Sequence, residues 1–477
     1  MADINWLIDE IENGPQGPQV GAFFDFDGTL IHGFSASPFF RARLRAGDID
    51  ARELLSTLVE SVNIEKRGHD VSKLMEIGVG AQANKAFEDM RDFGQQLFTR
   101  KISGMIYPDA RSLVEAHRQA GHTLVLATSA TMPQIEFAAQ DLGIDHILCT
   151  ELEVVDGKYT GKLAGPVRWG QNKADAITEF AADNDIDLAE SFAYSNGFED
   201  VPFLSAVGNP RPLNPDEELE EAAGGLGWPV AKFRLPHRHN PITLVRSAAA
   251  IASLGAGVVA GVTTALINQD RPMGMAVAAS VGSELALGVA GVKLNVIGEE
   301  NLWSNRPAVF LFNHQSQLDV LLLGALLRRD FTAVAKKQLE HDPVFAPLGY
   351  LADVAYVDRS NSAAAREALK PVVEALKQGR SIAIAPEGTR SPTPRLLPFK
   401  RGAFHMAMQA GVPVVPIVMR NAGDLMRPHS LVISNGTVDV AVLKPISSKG
   451  WTSANVGRQA DKVRELYIKT LTHWPKR

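Results

Sequence analysis

The sequence predicts two α/β units separated by an apolar helical insert. Three observations carry that expectation. Short apolar runs alternate with helical stretches over residues 20–230 and again over 293–477, the pattern of mainly parallel sheets covered by helices. An uncharged run of 23 residues, 247–269, lies between them, bounded by Arg246 and Asp270. Charge is also divided: residues 1–292 carry 23 Lys/Arg against 39 Asp/Glu, a net of −16, whereas 293–477 carry 25 against 15, a net of +10. A basic half beside an acidic one suggests that the basic half meets an anionic surface. With 477 residues, 45% apolar and 21% charged, the chain is too apolar for disorder and long enough for roughly three cores. The single cysteine, Cys149, excludes a disulfide framework and a thiolate-rich zinc site. Met1-Ala-Asp-Ile-Asn-Trp lacks the basic start and apolar core of a secretion signal, so the chain is expected to begin in the cytoplasm.

In chain order, the first strand is expected over 19–27, ending in carboxylates. Others are expected over 122–128 and 191–195, with helices between. Residues from about 35 to 107 read as almost wholly helical, an inserted lobe. The uncharged run is followed by a turn, Asp270-Arg-Pro, and a second apolar run over 273–292 broken only by Glu284. Each run can span a bilayer, and Gly257 and Gly261 have the small-xxx-small spacing of closely packed helices. The favoured reading is a hairpin dipping into or across a membrane; the other is a buried helical pair in a soluble core. Lys232, Arg234, Arg238 and Arg246 form a basic flank expected on the cytoplasmic side. A hairpin returns the chain to its starting side, so both units are expected there, at the cell membrane. Strands are expected again over 307–312, 381–386 and 412–417. The resulting division is 1–235, 236–292 and 293–477.

Asp25-Phe-Asp27-Gly-Thr29 directly follows the first strand. Alternation puts its two carboxylates on one side of the chain, where a cation such as Mg²⁺ lets both ionise. One can then attack phosphorus while the other shuttles a proton. With the segments that follow, this motif resembles the phosphoserine-phosphatase-like branch of the haloacid dehalogenase superfamily, over about 20–230. The resemblance implies a Rossmann-like domain with a helical cap, Asp25 as nucleophile and Asp27 as general acid/base. It also implies Thr128, ahead of Ser129, as phosphoryl ligand, and Lys173 as the neutralising cation. Residues 208–216 look like that family's final loop. The family usually closes its metal site with Gly-Asp-Ser-x-x-Asp; here Tyr194-Ser-Asn196-Gly-Phe-Glu-Asp200 keeps only the second acid. An amide oxygen can bind Mg²⁺ but brings no charge. Asp25, Asp27, Asp200 and Asn196 are thus the metal candidates, with Glu199 a neighbour that points elsewhere on a regular backbone. A phosphomonoesterase and a non-catalytic scaffold, regulatory module or dimer organiser both follow from this site.

In the second unit, Asn313-His314-Gln-Ser-Gln-Leu-Asp319 sits between a strand and an apolar helix over 320–327. A carboxylate just inside that helix can orient the imidazole, leaving its other nitrogen to take a hydroxyl proton. No serine or cysteine occupies a nucleophile elbow, so the base acts on a substrate hydroxyl. Val357-Asp358-Arg359, Pro386-Glu387-Gly388-Thr389-Arg390 and Phe399-Lys400-Arg401-Gly402 each follow in turn. Arg359, Arg390 and, as a third candidate, Lys400 supply positive charge for a phosphate, and Gly388 lets the backbone approach a ligand. Together with Val412-Pro-Val-Val-Pro416 these segments resemble the four blocks of the glycerolipid acyltransferase family, over about 290–445. The resemblance implies acyl transfer from acyl-CoA or acyl carrier protein to the sn-2 hydroxyl of lysophosphatidate, giving phosphatidate. In it, Glu387 positions Arg390 or the acceptor's hydroxyls. The expected partners are membrane lipids and the acyl donor, with a homodimer open and nucleic acid not among them.

Overall fold

The computed structural model describes residues 4–46, 78–233, 241–337, 340, 345–357, 370–427 and 430–475. The chain divides into two compact units, Met1–Pro236 and His237–Arg477. In the first, strands β1 (Gly21–Phe24), β2 (Thr123–Thr131), β3 (His146–Thr150), β6 (Phe192–Ser195) and β7 (Asn209–Pro212) form a sheet in the order β3-β2-β1-β6-β7. Every neighbouring pair is parallel. Two further strands, β4 (Leu152–Val155) and β5 (Lys158–Leu163), make a separate antiparallel hairpin. All four residues of β1 are buried, as a central parallel strand covered on both faces requires. The strand order reverses around β1, and ligands of open α/β sheets bind at the carboxyl end of such a strand. Asp25 is the first residue past that end.

The stretch expected to be a final loop is instead the edge strand β7, Asn-Pro-Arg-Pro. Proline has no amide proton to give a ladder, so an edge, paired on one side only, accommodates two of them. Of the helical lobe expected over 35–107, the described parts include helices Ala36–Ala46 and Phe87–Arg100. The segment 47–77 lies outside the described residues.

Behind the sheet runs a buried polar chain with only one workable tautomer. His122 Nε2 lies 2.8 Å from the Pro15 carbonyl, an obligate acceptor, and so must donate. His122 Nδ1 therefore accepts from His117 Nδ1 at 2.7 Å, and His117 Nε2 accepts from the Tyr194 hydroxyl at 2.6 Å. A proton added to either ring would bury a charge and force the donors and acceptors of this chain to rearrange. Burial holds both imidazoles below their ordinary pKa of 6.5, with the His122 ring adding to the shift at His117. The unfolded chain takes up these protons as pH falls through about 6.5 and the folded chain refuses them. Stability of this unit should therefore drop on acidification, by up to about 1.4 kcal/mol per pH unit for each histidine. Urea titrations at pH 7.5 and 5.5 measure the slope, and His117→Phe should lower stability at pH 7.5 yet flatten it. An unchanged slope in that variant would show that other groups carry the acid sensitivity.

The second unit holds seven strands: β8 (Val292–Ile297), β9 (Val309–Phe312), β10 (Phe331–Lys336), β11 (Ala355–Val357), β12 (Ser381–Ile384), β13 (Val414–Arg420) and β14 (Gly436–Val442). Their order is β11-β10-β12-β9-β13-β14-β8, with β13–β14 the one antiparallel pair among them. The three expected strands are β9, β12 and β13, adjacent at the centre.

The apolar runs form helices Pro241–Asn268 and Arg271–Ala290, both long and apolar enough to cross a bilayer. They belong to the second unit and share its core, through Ala278, Ala279, Ala286 and Leu287 packed with Leu318 and Leu322. Contact between them is backbone to backbone: a Cβ on Gly257 would lie 2.2 Å from Gly282 Cα, and one on Gly274 would lie 2.4 Å from the Gly261 carbonyl oxygen. The hairpin is fastened at both ends. At its base the Ile433 amide donates to Ser247 Oγ at 2.9 Å, and at its tip the Arg271 guanidinium lies 4.1 Å from the Tyr350 ring centroid. Its outer face keeps Ile242, Val245, Val259, Leu266 and Ile267 exposed.

Candidate active sites

In the first unit, Asp25 sits between two hydrogen-bonded arms. On one, Lys173 Nζ donates to Asp25 Oδ1 at 2.9 Å and to Asp200 Oδ2 at 2.5 Å. Ser195 Oγ also donates to Asp200 Oδ2 at 2.5 Å. On the other, Thr29 Oγ1 lies 3.0 Å from both Asp25 Oδ2 and Asn196 Oδ1. Gly28 makes this closeness possible, since its φ is +81° and a Cβ there would strike the Asn196 side chain at 2.4 Å. Lys173 comes from the first turn of helix Gln171–Asp183, and Asn196 and Asp200 from the loop after β6. Residues more than a hundred positions apart in the sequence thus meet at one strand end.

Burial raises the Asp25 carboxyl above its usual value, against the opposing pull of Lys173. Burial also works against the Lys173 charge, but Asp200 and Asp25 overcome it and hold the ammonium pKa above normal. Asp27 turns aside: its two oxygens accept from the Ser35 amide at 2.6 Å and the Ser35 hydroxyl at 3.0 Å. Burial pushes its pKa up to about 7 against the Ser35 bonds. Asp25 and Asp27, expected to share a metal, turn to different partners: Asp27 to Ser35, and Asp25 to Lys173 and Thr29. A carboxyl titrating near neutrality suits proton transfer instead. Thr128 is fully buried on β2, two residues past Leu126, the partner of Phe24, and its hydroxyl accepts from the Ala130 amide at 3.2 Å. Glu199 folds back over Gly197, and burial lifts its pKa to about 7. Sequence reasoning missed Ser35 and Ser195, which no motif singles out.

Among the described residues no three His, Cys, Asp or Glu side chains are grouped to hold an ion. The remaining oxygens nonetheless fit a hard divalent cation. Asp200 Oδ1 is buried with no hydrogen-bond partner, and Asp25 and the Asn196 amide oxygen lie on the same network. This donor set carries two charges and one neutral oxygen.

In the second unit, His314 Nδ1 lies 2.8 Å from Asp319 Oδ2, which also accepts from the Gln315 and Ser316 amides at 2.8 and 2.9 Å. Asp319 sits in the first turn of helix Leu318–Leu327 and is fully buried. The loop is pinned from below: Asn313 Nδ2 donates to the Met419 carbonyl at 2.8 Å, and the Met419 amide donates back to Asn313 Oδ1 at 2.7 Å. Glu387 does not reach for Arg390. Its two oxygens accept from the His314 amide and the Leu397 amide, each at 2.9 Å, and burial raises its pKa to about 7. Glu387 therefore holds the histidine loop against the 386–400 loop. The Ser391 amide ties the same pair by donating to the His314 carbonyl at 2.8 Å. Arg390, one residue earlier, has a buried Nη1 without a partner, and Thr389 is exposed. Gly388, at φ +75°, lies under the Lys400 side chain, where a Cβ would come within 2.9 Å. Arg359 lies outside the described residues.

Comparison with known proteins follows the same division. The haloacid dehalogenase-like hydrolase family matches residues 22–205, and the Acyltransferase family matches 293–420. The 1-acyl-sn-glycerol-3-phosphate acyltransferase of Saccharomyces cerevisiae is 36% identical over 218 residues, covering 45% of this chain and 71% of that protein. Phosphoserine phosphatase SerB1 of Mycobacterium tuberculosis is 31% identical over 245 residues, covering 50% of this chain and 79% of its own. Among solved structures, the acyltransferase PlsC of Thermotoga maritima aligns with a TM-score of 0.40 at 20% identity, over 49% of this chain and 99% of that one. Through its first unit the chain belongs to the haloacid dehalogenase-like hydrolases, and through its second to the acyltransferases of glycerolipid metabolism.

Proposed function

We propose that the second unit transfers an acyl group from acyl-CoA or acyl carrier protein to the sn-2 hydroxyl of 1-acyl-glycerol-3-phosphate. The observation that carries this reading is an imidazole with one nitrogen engaged, on a loop tied to the chain beside Arg390, whose buried Nη1 has no partner. With Nδ1–H donated to Asp319, the lone pair is on Nε2. Nε2 takes the sn-2 proton as that oxygen attacks the thioester carbonyl; the carbon–sulfur bond breaks, and the imidazolium returns the proton to the thiolate. Asp319, held by two backbone amides, steadies the charge on His314 meanwhile. Arg390 and Lys400 bind the acceptor's phosphate, with Arg359 as a third cation. Purified full-length chain given lysophosphatidate and palmitoyl-CoA should make phosphatidate; failure to do so overturns the reading.

The first unit is read as a phosphomonoesterase. Asp25 attacks phosphorus, the ester oxygen leaves with the Asp27 proton, and water then attacks the aspartyl-phosphate, giving its proton to Asp27. Mg²⁺ held by Asp25, Asp200 and Asn196 would supply charge neutralisation at the phosphoryl oxygens. Lys173 fixes the geometry of Asp25 and Asp200. The exposed outer face of the hairpin supports association with the cell membrane from the cytoplasmic side. Because base and tip are both fastened to the catalytic unit, entry into one leaflet fits better than a full crossing. Replacing Val259, Leu266 and Ile267 together by glutamate should move the protein from vesicle pellet to supernatant by more than tenfold, each charge costing roughly 2–3 kcal/mol at depth. All three are exposed, so thermal melting should not change; continued pelleting would assign the anchoring elsewhere.

A further inference from the structure

Of the phenylalanines whose surroundings are described, two are exposed: Phe34 at 64% and Phe198 at 44%. An isolated exposed ring is ordinary on a protein surface. These two are not isolated from the chemistry. Phe34 immediately precedes Ser35, whose amide and hydroxyl hold Asp27. Phe198 stands between Asn196 and Asp200, on the loop that meets Thr29 at one end and Lys173 at the other. Both loops are ordered. The Gly28 amide donates to the Gly33 carbonyl at 3.0 Å and the His32 amide to the Met105 carbonyl at 2.8 Å, fixing the turn before Phe34. The Phe198 amide donates to Asp216 Oδ2 at 3.1 Å, fixing the second turn. Each loop that presents a working carboxylate thus also holds an uncovered aromatic ring.

We propose that Phe34 and Phe198 form an apolar rim that selects phosphomonoesters with hydrocarbon next to the phosphate, that is, amphiphilic or lipid phosphomonoesters. The inference rests on the phosphomonoesterase reading of this unit. The phosphate is held in the polar pocket of Asp25, Lys173 and Asn196, and the rings cover the first methylenes of the alcohol. Aromatic faces offer contact area to an alkyl chain. They offer no cation to the carboxylate of a phospho-amino acid. Acyl transfer onto a glycerol phosphate, the reaction read for the second unit, is the class of reaction that supplies such a substrate.

The test uses the full chain. In the Asp25→Asn variant, calorimetry should find hexyl phosphate binding at least about tenfold tighter than methyl phosphate, the equivalent of burying two methylenes. Adding Phe34→Ser and Phe198→Ser should erase that preference, leave methyl phosphate affinity unchanged and leave thermal melting unchanged. Equal affinities, no binding of either probe, or a preference that survives the double substitution would overturn the rim. Wild-type hydrolysis of p-nitrophenyl phosphate is scored separately. Its absence alongside an intact hexyl preference would remove the phosphomonoesterase reading and leave an amphiphile-binding site.

Discussion

His314→Ala should lower acyl transfer by about 10²–10⁴-fold, the range that a positioned general base contributes. Two features make the loss this large. Nδ1 is committed to Asp319, so the ring has a fixed tautomer and a single free nitrogen. The loop itself is clamped by Asn313 to β13 and by Glu387 to the opposite loop, so it holds its place when the ring is removed. The fall should appear in kcat more than in KM for lysophosphatidate, because Arg390 is untouched. Initial rates of phosphatidate formation give the answer. A variant that melts normally and keeps a near-wild-type rate would remove His314 from the chemistry.

Asp25→Asn should abolish phosphate release, a loss of at least about 10³-fold, because an amide cannot form the covalent intermediate. The acyl rate of the same protein should not change, since its residues lie in the other unit. Asn196→Asp should act in the opposite direction. It adds a third hard anion to a pocket where Asp200 Oδ1 has no partner, so the Mg²⁺ dependence of phosphate release should shift to lower concentration. Phosphate release measured against Mg²⁺ for wild type and both variants separates the cases. If neither wild type nor Asn196→Asp releases phosphate from any phosphomonoester, the unit is structural.

Much of this was legible in the sequence because strand ends are legible. Asp25 and His314 each follow a short apolar run, and a buried parallel strand must be such a run. Asp319 was legible because a carboxylate five residues on, inside a helix, can approach the histidine across the loop. Pairings between distant segments were not legible. Nothing in the spacing says that Ser35 takes both oxygens of Asp27, or that Glu387 binds backbone amides rather than a guanidinium. Hydrogen bonds to main-chain groups leave no residue-type signature in the partner. The edge strand β7 was hidden by its prolines, which argue against a strand everywhere except at an edge. The hairpin was visible as two apolar runs, but its membership in the second unit's core was not, because alanine and glycine look alike whether they face lipid or protein.

The hairpin's seam divides its residues by what they can tolerate. Gly274, Ala278 and Gly282 recur every four residues along one helix and face Ala265, Gly261 and Gly257 on the other, with backbones touching. Size is the variable that matters there: a single added methyl at Gly257 or Gly274 has nowhere to go, although it makes the segment no less apolar. At Val259, Leu266, Ile267, Leu285 and Val289, all exposed, bulk is free and only polarity matters. A saturation scan of 241–290 should therefore resolve into two interleaved stripes. One rejects large side chains of any chemistry, and the other rejects charge at any size. A hydropathy profile, which scores alanine and leucine on one axis, registers neither stripe.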